Sequence, residues 1–488
     1  MPLVSLTLFL PLAGAVLLVF LRDVPPRTAH AIGLVTSGLA LLGAVGIWTR
    51  GAGTGFAQVE EVQWIPSLGA AYRVGVDGVN LPLVGLTAVL FTVSLVFSLK
   101  IVERARSYVA LFLLLETSCL GVFVALDMVL FYVFWEITLV AMYFIIAGWG
   151  YEDRQRAALT FFLYTLLGSL PLLLAILALY LGGEPRTFDM RVVIANPPLV
   201  GAVAMLTLVA FLVSFAVKIP IVPLHTWLPA AHVEAPTAGS VVLAGVLLKL
   251  GTYGLIRFAL QMTPDAFHDA ALIVALLGVV SALYGAFVAL AQTDVKRLVA
   301  YTSVNHMGYV VVGVAAAAAA TDPDVRTLAL DGAVLQMVSH GVVTGALFLL
   351  VGALQDRAHT RQISAFGGLL AVTPRIGWFF ILAAFASLGL PGLAHFPAEF
   401  QIFLGTFEVW PVLAVIVVVG IVITAGLYLR AIQTIFLGEP PERDRRMPDL
   451  SRLEAWAIVP LLLLTVAIGI APGWLLGVIH LATEAIGP

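Results

Sequence analysis

Six residues in this chain have types and positions that suggest proton chemistry: Glu136, Lys218, Lys249, His306, His340 and Glu399 all lie in or beside strongly apolar runs. An unpaired ammonium in hydrocarbon costs at least ~2.5–3.5 kcal/mol on insertion scales, so such a group persists where it works or is partnered. Snorkelling to an interface is the plainer reading of the two lysines, and it suits them poorly. Lys218 stands two residues before Pro220, and Lys249 is thirteen residues into an otherwise uncharged run. The chain has 21 arginines and four lysines, yet both basic residues placed near mid-membrane are lysines. Arginine does not release its proton inside a protein, whereas a desolvated lysine can. Histidine titrates near neutrality. A carboxylate such as Glu136, if close to Lys218, favours the charged lysine, and withdrawing its influence lets the proton go. These are parts for a proton relay. Taken singly, His306 and His340 read equally well as hydrogen-bonded core histidines. Glu116 reads as structural. His225, His232 and Glu234 fall at or near the inner surface, as helix caps or the lining of an entrance.

Depth ties the six together. A helix rises ~1.5 Å per residue and the hydrocarbon core is ~30 Å thick, so position within a run gives depth. Glu116 lies nine residues into its run, Glu136 eight, and His306 and His340 eleven each. Lys218 and Glu399 sit beside proline-rich breaks. Groups from seven helices at one depth imply an axis lying in the plane of the membrane.

The elements that must position these groups are membrane helices. Of 488 residues, 61% are hydrophobic and 11% charged, with a mean hydropathy of +1.06, which describes an all-α polytopic membrane protein. Hydropathy predicts about fourteen spans, at 3–21, 30–49, 79–99, 107–126, 128–149, 157–181, 200–230, 236–257, 269–291, 295–318, 329–351, 374–411, 412–437 and 455–480. The seventh and twelfth are broken. Phe215-Ala216 precedes Pro220, Pro223 and His225, as Phe385-Ala386 precedes Pro391, His395 and Pro397. Five spans separate the breaks, so they run in opposite directions, as in an inverted repeat. This divides the chain into helices 1–3 (1–106), a first five-helix unit of helices 4–8 (107–261), a second of helices 9–13 (262–438), and a cytoplasmic loop with helix 14 (439–488). With both termini outside, loop Lys and Arg residues number sixteen inside against six outside, Arg257 among the six, in keeping with the positive-inside rule. The N-terminal apolar run has no basic residue before it and reads as a first span.

Redox and nucleotide chemistry are not expected in this chain. One cysteine, Cys119, excludes a disulfide framework and a cysteine-ligated cluster held by this chain alone. There is no Walker loop, dinucleotide fingerprint or zinc-ligand spacing.

The stretches FYVFWEITLVAMYFIIAGWG (131–150), KIPIVPLHTWLPAAHVEAPTAGSVVLAGVLLKLGTYGLIRF (218–258), AQTDVKRLVAYTSVNHMGYV (291–310) and LPGLAHFPAEF (390–400) resemble the antiporter-like membrane subunits of NADH:quinone oxidoreductase, respiratory complex I. The resemblance implies fourteen helices with two inverted five-helix units. It implies Glu136 and Lys218 as an interacting pair, Lys249 as the central lysine, His306 and His340 as relay histidines, and Glu399 as the terminal group. An acid at 399 suggests the M-type, since the L- and N-types usually have lysine there. NADH, FMN, iron–sulfur clusters and quinone are then expected in partner subunits, with antiporter-like neighbours on either side, a bacterial inner-membrane location and no nucleic-acid partner. Two departures stand out: Ala230 replaces a frequent aspartate, and H-F-P-A-E-F stands where N-F-V-G-E-F is common. A subunit of a multi-subunit cation/proton antiporter is the alternative, and Glu399 argues against it. A non-transporting scaffold is a third reading, disfavoured by the cost of so many mid-membrane charges.

Overall fold

The computed structural model describes residues 2–487; Met1 and Pro488, the outermost residues of the first and last ranges above, lie outside it. The chain begins with α1 (Leu3–Phe20) and α2 (Pro26–Arg50). The 50–78 stretch, which hydropathy leaves unassigned, holds an antiparallel hairpin of β1 (Ala57–Ile65) and β2 (Ala70–Val76). Next come α3 (Leu81–Phe97), α4 (Ala105–Val124), α5 (Met128–Trp149) and α6 (Arg154–Gly182). They are followed by the short α7 (Met190–Ala195), α8 (Gly201–Lys218), α9 (Trp227–Glu234) and α10 (Thr237–Leu260). The remainder comprises α11 (Pro264–Leu290), α12 (Val295–Ala319) and α13 (Pro323–Ala358). After a single helical turn come α14 (Pro374–Ser387), α15 (His395–Val409), α16 (Pro411–Phe436), α17 (Arg452–Ile470) and α18 (Gly473–Thr483).

Thirteen helices among the described residues are long and apolar enough to cross a membrane. Where the twelfth span is expected, α14 and α15 are too short singly and lie end to end around residues 388–394. Burial sorts the helices into layers. The apolar windows of α10 and α13 are wholly buried, whereas that of α2 is 28% buried. Outer helices turn Leu167, Leu174, Leu206 and Val412 outward at 66–74% exposure, a belt suited to hydrocarbon rather than water.

Local chemistry explains where key helices begin. Asp127 caps α5, its Oδ1 accepting the N–H groups of Val129 (3.0 Å) and Leu130 (3.2 Å). Asp294 caps α12 in the same way through Lys296 N (2.8 Å) and Arg297 N (3.0 Å). Such a cap contributes about 1 kcal/mol. The other oxygen of Asp127 accepts from Ala71 N (3.1 Å) and Arg73 Nη1 (2.9 Å), which fastens the hairpin to α5. On the hairpin, the Arg73 guanidinium hydrogen-bonds Glu61 and holds its carboxyl below the ordinary glutamate range.

Two expectations need correction. Arg257, counted above as an outer-loop charge, lies inside α10, buried and paired with Asp77 before α3. Neutralised there, it lets the helix run on to Leu260. The final span also stops early: α17 ends at Ile470, and Pro472, which has no N–H to continue a helix, leads into the separate α18.

Candidate functional site

Lys249 lies in α10 between two π-helical turns, Leu243–Leu247 and Leu255–Leu260. Such wide turns concentrate at functional positions. In the first, the Ala244 carbonyl is within reach of the lysine, and Nζ donates to it at 2.6 Å. The second partner is His340 on α13, whose Nδ1 is 2.5 Å from Nζ. A nitrogen–nitrogen contact this short needs one proton between two basic groups, with either lysine or histidine as donor. Both residues are fully buried.

The series continues away from Lys249. The ring of His306, from α12, stands edge-on to His340 with centroids 5.6 Å apart. His306 Nδ1 is 3.2 Å from Glu399 Oε1, and its Nε2 is 3.1 Å from Ser387 Oγ at the end of α14. Ser387 in turn donates to Tyr428 at 3.0 Å. Glu399, on α15, accepts from Gln336 Nε2 of α13 at 3.2 Å. Its Oε2 lies 2.6 Å from where a Cβ would stand on Gly389, whose φ of +78° also favours glycine. The break between α14 and α15 therefore lets backbone pass against the carboxylate. Four of the six residues named from sequence thus form one contiguous buried series.

The other two are placed differently. Lys218 ends α8; its Nζ lies 3.4 Å from Thr138 Oγ1 and 5.0 Å from the Trp135 ring centroid. Glu136 shares α5 with both of those neighbours. No nitrogen–oxygen distance of 4.0 Å or less joins Glu136 to Lys218, and Glu136 Oε1 is buried without a hydrogen-bond partner. The end of α8 nevertheless touches the middle of α10: a Cβ on Gly251 would stand 3.0 Å from Ile219 N and 3.1 Å from Lys218 Cβ. A glycine two residues from Lys249 thus brings the two lysine-bearing helices together.

Glu116 takes no part in either group; it accepts from Ser37 Oγ of α2 at 2.9 Å. His232 is buried face to face with Phe348 at 4.7 Å, both ring nitrogens unpartnered. His225 packs edge-on against Tyr284, and Glu234 accepts from Asp153 N at 2.9 Å. Sequence reasoning passed over His395, Gln336 and Ser387. For His395 a signal was present, since it stands four residues before Glu399 and so on the same helical face. Its Nδ1 lies 3.7 Å from Glu399 Oε1, and its ring is 4.5 Å from that of His306.

Residues 125–424 match the family model described as NADH:quinone oxidoreductase/Mrp antiporter, TM. NADH-quinone oxidoreductase subunit M of Rickettsia typhi is 38% identical over 99% of this chain and 98% of that protein. Among solved structures, a chain of respiratory complex I from Thermus thermophilus with bound NADH matches with a TM-score of 0.89 and 31% identity, over 99% of this chain and 100% of that one. A chain of the Mrp complex from Dietzia sp. matches with a TM-score of 0.85 over 99% of this chain and 97% of that one, at 22% identity, a likeness of fold alone.

Proposed function

This chain belongs to the NADH:quinone oxidoreductase/Mrp antiporter membrane family, and on that premise we propose that it is the M-type proton-translocating subunit of an NADH:quinone oxidoreductase. The observation that carries the reading is the buried series from Lys249 through His340 and His306 to Glu399, in contact at both ends and with the two rings facing between. A proton on Lys249 Nζ passes to His340 Nδ1 along the existing short contact. The free Nε2 of His340 hands it to His306 across a gap closed by ring rotation or a water. His306 Nδ1 then faces Glu399, the last acceptor. Lys218 and Glu136 act before this step. Two ammonium groups on touching helices repel, so loading Lys218 favours release from Lys249, and the Glu136 carboxylate sets how firmly Lys218 holds its proton.

Electron transfer runs in other subunits of the assembly. This chain itself holds no NADH, FMN, iron–sulfur cluster or quinone, and iron or flavin retained by the isolated chain would contradict that. It lies in the bacterial inner membrane beside other membrane subunits, with both termini on the outer side. Reporter fusions after Arg446 and at the C-terminus are expected to mark opposite sides. Units 107–261 and 262–438 are an inverted pair; the matched caps at Asp127 and Asp294, each at the second helix of its unit, support that relation. The direct test of function is proton pumping by the reconstituted complex carrying Glu399→Gln, with assembly and electron transfer checked. Strongly reduced pumping is expected, and a normal rate would remove Glu399 from the path.

A further inference from the structure

We propose that His306, His395 and Glu399 form a binding site for a divalent transition metal of the zinc class, at the break between α14 and α15. Each of the three offers a ligand atom within 4.8 Å of the other two, and all three residues are buried. Zinc takes His nitrogen and carboxylate oxygen at ~2.0–2.2 Å in tetrahedral geometry, which puts neighbouring ligand atoms about 3.3 Å apart. His306 Nδ1 is already 3.2 Å from Glu399 Oε1, and a ring nitrogen of His395 lies within 4.8 Å of both ligand atoms. The set needs only small side-chain rotations to close around an ion.

The orphaned atoms point the same way. His306 Nδ1 and His395 Nε2 are buried with no hydrogen-bond partner, and so is Gln336 Oε1, whose Nε2 already holds Glu399. A buried ring nitrogen is costly to leave without a partner, and a bound ion is one way to meet it. Here each ring uses one nitrogen on Ser387: His306 Nε2 reaches the hydroxyl at 3.1 Å, and His395 Nδ1 reaches the carbonyl at 3.4 Å. That is the arrangement of metal-binding histidines, in which an outer partner fixes the ring and the other nitrogen faces the ion. Gln336 Oε1 or a water supplies the fourth position.

A metal there occupies His306 and Glu399, so it also stops proton transfer; this second part rests on the relay reading, whereas the binding site does not. The experiment uses the complex containing this chain, dialysed against radioactive zinc, with wild type compared with His395→Asn. Wild type is expected to bind one zinc more per complex at micromolar free zinc, and the variant to lose at least about tenfold in affinity. Measured against its own zinc-free pumping rate, His395→Asn is inhibited by zinc only at concentrations at least about tenfold higher than wild type. His395→Gln serves as the second variant should asparagine impair assembly. Equal zinc binding by wild type and both variants overturns the site. An extra zinc that leaves pumping unchanged upholds the site and overturns the relay role of His306 and Glu399 instead.

Discussion

The region around Lys218 and the region around Lys249 handle buried charge by different means. Lys218 has a distant hydroxyl, the face of Trp135 and a carboxylate beyond ion-pair reach. Lys249 has two contacts of 2.5 and 2.6 Å and, behind them, a run of histidines ending on an acid. In the proposed relay, the first region acts on its proton through the field of neighbouring charges. The second, in the same proposal, acts through contact. Field coupling tolerates looseness and responds to small movements of the break after Lys218, whereas contact coupling needs each group in place but moves a proton without moving helices.

The largest expected effect is at the start of the contact series. Lys249→Arg keeps the charge but does not release the proton, so it should lose pumping as completely as Lys249→Ala, a fall of about 10²-fold or more. Substantial pumping by the arginine variant would reduce Lys249 to a counter-ion and erase the contrast with Lys218.

Next in size is a control on the same helix. Arg257 is as buried as Lys249 but is paired with Asp77, so its charge is structural. Arg257→Leu should destabilise by about 3–5 kcal/mol, because it leaves Asp77 buried and unpaired. Adding Asp77→Leu should restore most of the loss. The readout is thermal stability and assembly of the complex; no recovery in the double variant would mean the pair does more than balance charge.

The contrast sharpens in two double-mutant cycles on pumping rate. For His306→Gln with Glu399→Asp, residues in contact, the coupling should reach about 1–2 kcal/mol. For Glu136→Gln with Lys218→Ala each single variant should pump poorly, and the coupling should be smaller, about 0.5 kcal/mol, because only the field joins them. Equal couplings would show that both regions work alike.

The smallest effect belongs to a surface pair outside both regions. Glu61 is bonded to Arg73 and its carboxyl is 38% exposed. A lowered folded-state pKa stabilises above the unfolded value, ~4.3, and that contribution is lost as pH falls through the lowered one. Glu61→Gln should therefore cost no more than about 1 kcal/mol near neutrality, and the difference from wild type should vanish in acid melting experiments. A deficit that persists there would point to packing instead.

The spans were legible because hydropathy is a local property, and so were the polar groups, since a lysine in an apolar run announces itself. Arg257 was misplaced because its neutralising partner lies 180 positions away, and no local pattern records that. The turn at Pro472 hid inside a continuous apolar run. Whether Glu136 and Lys218 interact by contact or through the field depends on how α5 and α8 are rotated toward each other, a packing matter that charge and depth do not decide. His395 was read as part of a break, although its spacing from Glu399 carried more. The hairpin gave no signal, because its inner strand buries Ala70, Ala71 and Val74 against helices far along the chain.

The wide turn at Leu243–Leu247 has a consequence for register. It holds one residue more than an α-helical segment making the same turn, so every residue beyond it is offset by about 100° from the face it would otherwise occupy. Lys249 meets His340 only with that extra residue in place. Deleting a single residue from 243–247 would let the helix close up as a regular one, keep its apolar character and its length to within one rise, and still aim the lysine at the wrong neighbour.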